Sequence, residues 1–189
     1  MYRGLYDLTG FQELDKFPQA YLLGNQLFLL VSFSYFWKKK IMLKVGDNIP
    51  NINVTTHKGE TINLTNFKGK KVILFFYPRA NTPGCTAQSC NLNDNYSKLT
   101  SQGYEVIGVS PDTVDKQNKF ADKFGFKYNL LADDSRELID AFGVWGKKKF
   151  RGNEYEGVLR TTFIIDEDGV IERVIDKVNT KDHADQILD

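Results

Sequence analysis

Cysteine and histidine are both scarce in this sequence, with two residues of each among 189. So few cysteines exclude a small secreted domain held together by several disulfides. The 25 basic and 24 acidic side chains leave a formal net charge of +1, which gives no electrostatic reason to expect a nucleic-acid partner. Hydrophobic residues at 41% and charged residues at 26% are ordinary for a globular domain.

The sequence also lacks an uninterrupted apolar run of the length that spans a membrane, which is about 20 residues. The stretch "YLLGNQLFLLVSFSYFW" (residues 21–37) is shorter and is broken by "GNQ". Acidic residues precede it and no small-residue cleavage site follows, so it is a poor signal peptide. We interpret residues 1–41 as an N-terminal extension: a poorly packed or disordered segment, a stretch upstream of a true start at Met42, a partner-binding helix, or an anchor. Membrane contact is expected only if residues 21–37 insert, in which case the following "KKK" favours a cytoplasmic domain.

From Met42 onwards strand-like and helix-like patterns alternate, which predicts one α/β domain over residues 42–189. "KVILFFY" and "YEVIGVS" are apolar runs typical of strands covered on both faces. "TVDKQNKFADKFG" and "DDSRELIDAFG" predict helices that end at glycine, and "TKDHADQIL" predicts a last helix. Hairpins are predicted at "HKGE" and "DEDG". Together these patterns predict a central mixed β-sheet flanked by helices on both faces. The stretch "GVWGKKKFRGNEYEG" is expected to be a long surface loop.

Both cysteines lie in one stretch, "PRANTPGCTAQSC" (residues 78–90). Thr82 is expected to cap the helix that follows, its side-chain oxygen accepting a nearby backbone N–H, with Pro83 at the first helical position. Cys85 then falls in the first turn, where free amides and the positive end of the helix stabilise a thiolate. A strand-to-helix turn also lies at the carboxyl edge of the sheet, where open α/β folds bind ligands. Cys85 is therefore predicted to be an activated nucleophile.

Cys90 follows on the same predicted helix. In an ideal helix the two cysteine Cα atoms are about 8 to 9 Å apart, whereas a disulfide tolerates no more than about 7 Å. Either the cysteines never bond, or the helix unwinds when they do, as in a cycle where a Cys85 sulfenic acid condenses with Cys90. The residues alone leave two further alternatives. The cysteines could be inert and buried, or they could bind zinc, although His57 and His183 are far away in sequence.

The same stretch closely resembles the active-site motif of peroxiredoxins, P-x-x-x-T-x-x-C, and its second cysteine resembles the bacterioferritin-comigratory, or Q-type, subfamily. "VGDNIPN", "KVILFFYP", "GVWGKK", "RTTFIID" and "DHADQIL" resemble that subfamily in the same order. The likeness covers about residues 42–189. It implies a thioredoxin-like fold and a thiol peroxidase that reduces hydrogen peroxide and organic hydroperoxides without a cofactor or metal. It also implies thioredoxin, or a similar dithiol, as the reductant.

The resemblance assigns roles to individual residues. Cys85 corresponds to the peroxidatic nucleophile and Cys90 to the resolving thiol that closes an intramolecular disulfide. Thr82 would offer its hydroxyl to the thiolate and the peroxide, and Pro78 would shield the thiolate from water. Arg160 would complete the pocket, because a guanidinium has a permanent charge and several fixed donors.

Arg79 is nearer to the motif, but the residue after the motif proline need not face the sulfur, so Arg160 is favoured. Trp145 is expected to have a core role or to pack near the site. Resolution within one chain leads us to expect a monomer, in the cytoplasm. The competing hypotheses are a dithiol–disulfide oxidoreductase of thioredoxin fold, for which the C-x-x-C motif is absent, and a non-enzymatic redox switch.

Overall fold

The structure is a computed structural model that describes residues 21–23, 26–28, 41–150 and 152–189. The chain divides into two units, Met1–Lys39 and Lys40–Asp189. In the first, two short strands, β1 (Tyr21–Leu23) and β2 (Gln26–Phe28), pair in antiparallel fashion. The interpretations of residues 1–41 otherwise lie outside the described residues. No helix within the described ranges is long and apolar enough to cross a membrane.

The second unit carries the remaining strands and all the described α-helices. Its strands are β3 (Asn53–Thr56), β4 (Thr61–Asn63), β5 (Lys71–Phe76), β6 (Tyr104–Ser110), β7 (Asn129–Ala132), β8 (Trp145–Phe150), β9 (Asn153–Val158), β10 (Thr161–Ile165) and β11 (Ile171–Ile175). Its helices are α1 (Pro83–Asp94), α2 (Tyr96–Ser101), α3 (Val114–Phe124), α4 (Glu137–Ala141) and α5 (His183–Leu188), and a 3-10 helix covers Leu64–Phe67.

Seven strands form one mixed sheet in the order β11-β10-β5-β6-β7-β3-β4. The central strands β5, β6 and β7 are parallel, and the other neighbours are antiparallel. The predicted mixed sheet, its two long apolar strands and the hairpins β3–β4 and β10–β11 are confirmed. Strand β7 was not identified in the sequence, although its "NLLA" is buried between β6 and β3.

Both faces of the sheet are covered, as predicted. Along β5, Val72, Leu74 and Phe76 belong to one buried cluster, while Ile73 and Phe75 belong to another on the opposite face. Helices α1, α2, α3 and α5 contribute to the second cluster, and α4 contributes to the first. A strand buried on both sides needs apolar residues at every position, which is why it reads as a continuous run.

The predicted helices form, with differences in length. Helix α3 begins after Thr113 and ends at Gly125, whose left-handed backbone (φ 63°) glycine adopts without strain. The helix predicted after Thr82 forms as α1 and ends before Asn95, and α2 begins directly after that residue. Helix α4 is a short turn that begins after Arg136.

The expected surface loop "GVWGKKKFRGNEYEG" is wrong. Strands β8 and β9 of this stretch pair as a separate two-stranded antiparallel sheet. The register places Lys147 opposite Glu156 and Lys149 opposite Glu154, and opposite charges across a strand pair stabilise it. Because β9 ends two residues before Arg160, this hairpin positions the chain that enters the candidate site.

Candidate active site

Cys85 lies in the first turn of α1, just beyond the carboxyl end of β5. Pro83 occupies the first helical position, and the carbonyl of Thr82 accepts the first helical hydrogen bond, from the N–H of Thr86 (2.8 Å). The predicted cap bond of the Thr82 side chain is not formed. Its hydroxyl instead donates to the carbonyl of Arg79 (3.0 Å), because the tight turn brings that carbonyl within reach.

The loop between β5 and α1 is fixed by neighbouring elements. The backbone N–H of Ala80 donates to Asp112 (2.7 Å), which also accepts from the hydroxyl of Ser110 at the end of β6 (2.8 Å). Lys123 of α3 donates to the side chain of Asn81 (3.0 Å), a residue with left-handed backbone (φ 60°). These contacts hold the loop, and with it the start of α1, against the carboxyl edge of the sheet.

Arg160 brings a guanidinium to the sulfur. Its Nη2 donates to the Sγ of Cys85 at 3.2 Å across 75 residues of sequence. Cys85 is only 1% exposed, and a charge contact is stronger away from water. Since a guanidinium keeps its proton, it is a permanent donor that stabilises negative charge on this sulfur.

Cys90 is the second thiol of the same helix. It is half-buried, and both cysteines are free. Burial, with a smaller effect from the charge of Asp94, raises the pKa of the Cys90 thiol. Both effects favour the neutral Cys90 thiol over its thiolate. No group of three or more His, Cys, Asp or Glu side chains in the described ranges is arranged to hold a metal ion.

A buried polar chain continues from Arg160. Its Nη1 donates to the side-chain oxygen of Gln88, and Gln88 Nε2 lies 3.0 Å from Nδ1 of His183. The other ring nitrogen, Nε2, lies 3.1 Å from the hydroxyl of Thr162. Gln88, Thr162 and His183 are each 0% exposed. Sequence reasoning missed Gln88 and regarded His183 as remote, because 95 residues separate this contacting pair.

Lys148 of β8 is a second cation near the site that sequence reasoning missed. Its Nζ donates to the carbonyl of Val158 (2.8 Å), two residues before Arg160. Burial and the charge of Arg160 lower the pKa of Lys148, while Cys85 acts in the opposite direction. The run of three lysines in β8 does not by itself show that Lys148 faces the site, because the strand must be identified first.

The other candidate residues lie around this centre. Pro78 is half-buried at the start of the loop, and Arg79 is exposed and contributes its carbonyl to the turn. Trp145 packs against the core cluster that includes α4, with the guanidinium of Arg136 4.4 Å from its ring centroid. The core role expected for Trp145 agrees with this packing.

Known proteins share this arrangement of elements. The model of the AhpC/TSA family matches residues 45–174. Peroxiredoxin Bcp of Escherichia coli (strain K12) is 44% identical over 146 residues, which are 77% of this chain and 94% of that protein. The crystal structure of peroxidoxin BcpB from Mycobacterium tuberculosis has a TM-score of 0.68 and 35% identity, and the match covers 77% of this chain and 94% of that one. The Xanthomonas campestris bacterioferritin comigratory protein, which has alkyl peroxide reduction activity, has a TM-score of 0.69 and 28% identity, with coverage of 75% and 95%.

Proposed function

Since the chain belongs to the AhpC/TSA family and is a peroxiredoxin, a thiol peroxidase of thioredoxin-like fold, we propose that Cys85 attacks the peroxide and that Cys90 resolves the product. The observation that carries this assignment is the 3.2 Å contact between Arg160 Nη2 and the Cys85 sulfur at the buried start of α1. The alkyl peroxide reduction activity of the Xanthomonas campestris protein supports organic hydroperoxides as substrates beside hydrogen peroxide.

The first step is attack by the Cys85 thiolate on one peroxide oxygen. The O–O bond breaks and its electron pair stays on the other oxygen, which takes up a proton and leaves as water or an alcohol. Cys85 becomes a sulfenic acid. Arg160 stabilises negative charge on the sulfur before the attack and on the departing oxygen during it, since fixed donors aimed at developing charge lower the barrier.

Thr82 and Pro78 complete the pocket in this proposal. The Thr82 hydroxyl uses its proton on the carbonyl of Arg79, so its oxygen lone pairs remain to accept the O–H of the peroxide. Pro78 has no N–H to donate and is half-buried beside the loop, which suits it to shield the thiolate from water.

Resolution requires α1 to unwind, because Cys85 and Cys90 cannot bond across an intact helix. Hydrogen bonds to neighbouring parts of the chain hold the helix in place. Gln88 bonds to α5, Asn91 bonds to the start of α5, and the hydroxyl of Tyr128 donates to a carbonyl of α1 (2.8 Å). When they release, the Cys90 thiol attacks the sulfenic sulfur, a disulfide forms and water leaves.

Peroxide and a thioredoxin-like dithiol are the reactants of this family. We propose thioredoxin itself as the reductant, acting by thiol–disulfide exchange. We further propose that residues 42–189 are the catalytic domain and residues 1–41 an extension, which is supported by the family match at 45–174. A cycle that one chain completes and an external dithiol resets suits a monomer in the reducing cytoplasm.

Peroxide consumption tests the assignment. Wild type, Cys85→Ser and Cys90→Ser are compared with thioredoxin, thioredoxin reductase and NADPH. Cys85→Ser is expected to have no turnover, and Cys90→Ser to complete one oxidation and then stall. Wild-type steady-state activity in Cys85→Ser would contradict the proposal.

A further inference from the structure

His183, the first residue of α5, is a buried histidine whose two ring nitrogens both have polar partners. Nδ1 lies 3.0 Å from Gln88 Nε2 and Nε2 lies 3.1 Å from Thr162 Oγ1. The residue is 0% exposed and is the link between α5 and the side chain that contacts Arg160. Nothing in the peroxide reaction described above uses this ring.

Arg160 fixes which group donates and which accepts in each hydrogen bond between Arg160, Gln88, His183 and Thr162. A guanidinium donates and cannot accept, so the atom of Gln88 that faces it is the oxygen. The Gln88 NH₂ therefore faces His183, whose Nδ1 must accept. The proton of the ring is then on Nε2, which donates to the Thr162 hydroxyl. The geometry thus requires a neutral ring in one tautomer, and burial, followed by the charge of Arg160, lowers the pKa of His183 to about 4, which is consistent with that form.

We propose that His183 is a positioning residue for peroxide reduction: its Nδ1 fixes the Gln88 amide in the orientation that aims Arg160 at the Cys85 sulfur. This inference rests on the roles proposed above for Cys85 and Arg160. Without an acceptor at Nδ1, the Gln88 NH₂ is buried and unpaired, and an amide that turns to relieve this places its NH₂ against the guanidinium. Two donors then face each other, and Arg160 loses the partner that orients it.

The same contact affects the second half of the cycle in the opposite direction. Gln88 belongs to α1 and His183 to α5, so their hydrogen bond forms only while α1 is folded. Loss of the contact removes a restraint on unwinding. Variants that lack the Nδ1 acceptor are expected to react more slowly with peroxide and to form the disulfide faster.

Three substitutions of His183 distinguish the effect of the Nδ1 acceptor from the effect of side-chain volume. In His183→Asn the side-chain oxygen occupies the place of Nδ1, so the contact to Gln88 is kept. His183→Gln is longer and reaches towards Thr162, and His183→Leu keeps neither contact. In a Cys90→Ser background, stopped-flow measurement with hydrogen peroxide is expected to give rate constants about tenfold lower for Leu and Gln, the cost of one unpaired buried group, and close to the parent for Asn.

A Leu or Gln variant as fast as the parent, or an Asn variant as slow as Leu, overturns the proposal. Circular dichroism checks that each variant folds, and if Leu does not fold, the Asn and Gln pair carries the comparison. The parent Cys90→Ser protein separates this inference from the proposed function. If the parent does not react with peroxide, the proposed function is wrong. If the parent reacts and the His183 variants react at the same rate, only the role of His183 is wrong.

Discussion

Asn91 of α1 accepts a hydrogen bond from the backbone N–H of Ala184 in the first turn of α5, at 2.8 Å. The same side chain donates to the carbonyl of Lys181 (2.7 Å). One amide thus fastens the helix that carries both cysteines to the last helix of the chain. Because α1 must unwind for the cysteines to bond, this contact opposes the second chemical step.

Asn91→Ala is expected to speed disulfide formation and to weaken the fold. Losing these bonds from a half-buried site lowers the free energy of unfolding by about 1 kcal/mol, which corresponds to a roughly fivefold faster unwinding step. Stopped-flow fluorescence after one equivalent of peroxide measures the rate. The matched control is Lys98→Gln, which removes an exposed 3.5 Å ion pair with Asp185 of α5 and is expected to change little. If Asn91→Ala forms the disulfide at the wild-type rate, the hydrogen bonds of Asn91 do not oppose the unwinding of α1.

Replacing Arg160 is expected to slow peroxide attack. Arg160→Met removes the charge and both donors, and the second-order rate constant should fall by about 100-fold, as for a lost charge-stabilising donor. Arg160→Lys keeps a charge but replaces the two fixed nitrogens that contact Gln88 and Cys85 with a single one, so a loss of about tenfold is expected. Arg79→Met is the control, since that guanidinium is exposed and should be dispensable. The assignment fails if the Arg79 variant is the slower of the two methionine variants.

The stability of the fold is expected to decrease in acid because of His183. Its pKa is lowered from 6.5 to about 4 in the folded protein, so between these values the unfolded chain binds a proton that the folded one does not. The neutral ring contributes fully to the free energy of unfolding above pH 6.5. This contribution is lost as the pH falls towards 4, which lowers the free energy of unfolding by at most about 3 kcal/mol. Urea unfolding at several pH values should give a flatter profile for His183→Asn than for wild type. Parallel profiles would show that the ring does not titrate in this way.

Gly108 of β6 is expected to tolerate no side chain. A Cβ there would lie 2.7 Å from Leu130 and 2.7 Å from Phe75, both buried on neighbouring strands. Gly108→Ala should therefore lower the free energy of unfolding by about 1 to 3 kcal/mol, the usual cost of an overpacked core. Gly157→Ala in β9 is the control, because its Cβ would meet only ordinary contacts at 3.5 Å or more. Equal urea midpoints for both variants would contradict the tight packing of the central strands.

Sequence reasoning identified the parts of this molecule that depend on local patterns. Strands β5 and β6, helix α3 and the turn that starts α1 follow from apolar runs, glycine and proline. The hairpin β8–β9 was missed because charged and glycine residues interrupt its apolar ones, and its cross-strand pairs of lysine and glutamate have meaning only once the register is known. The Thr82 hydroxyl was assigned as an acceptor because a cap rule ignores the nearby Arg79 carbonyl.

The candidate site could be predicted only in part, for a physical reason. Cys85 stands out by its helix position, but Arg160 is 75 residues away and was found through a family resemblance, not through spacing. Gln88 and His183 had no signal, because a buried polar pair is recognisable only when the folded chain brings its partners together.

The most direct test of the account is to locate the oxidised sulfurs after one equivalent of hydrogen peroxide. Peptide mass spectrometry of the full wild-type chain should find one internal disulfide between Cys85 and Cys90, and the Cys90→Ser protein should carry a dimedone-reactive sulfenic acid on Cys85. A sulfenic acid on Cys90 in the Cys85→Ser protein at a comparable rate, with no internal disulfide in wild type, would contradict it.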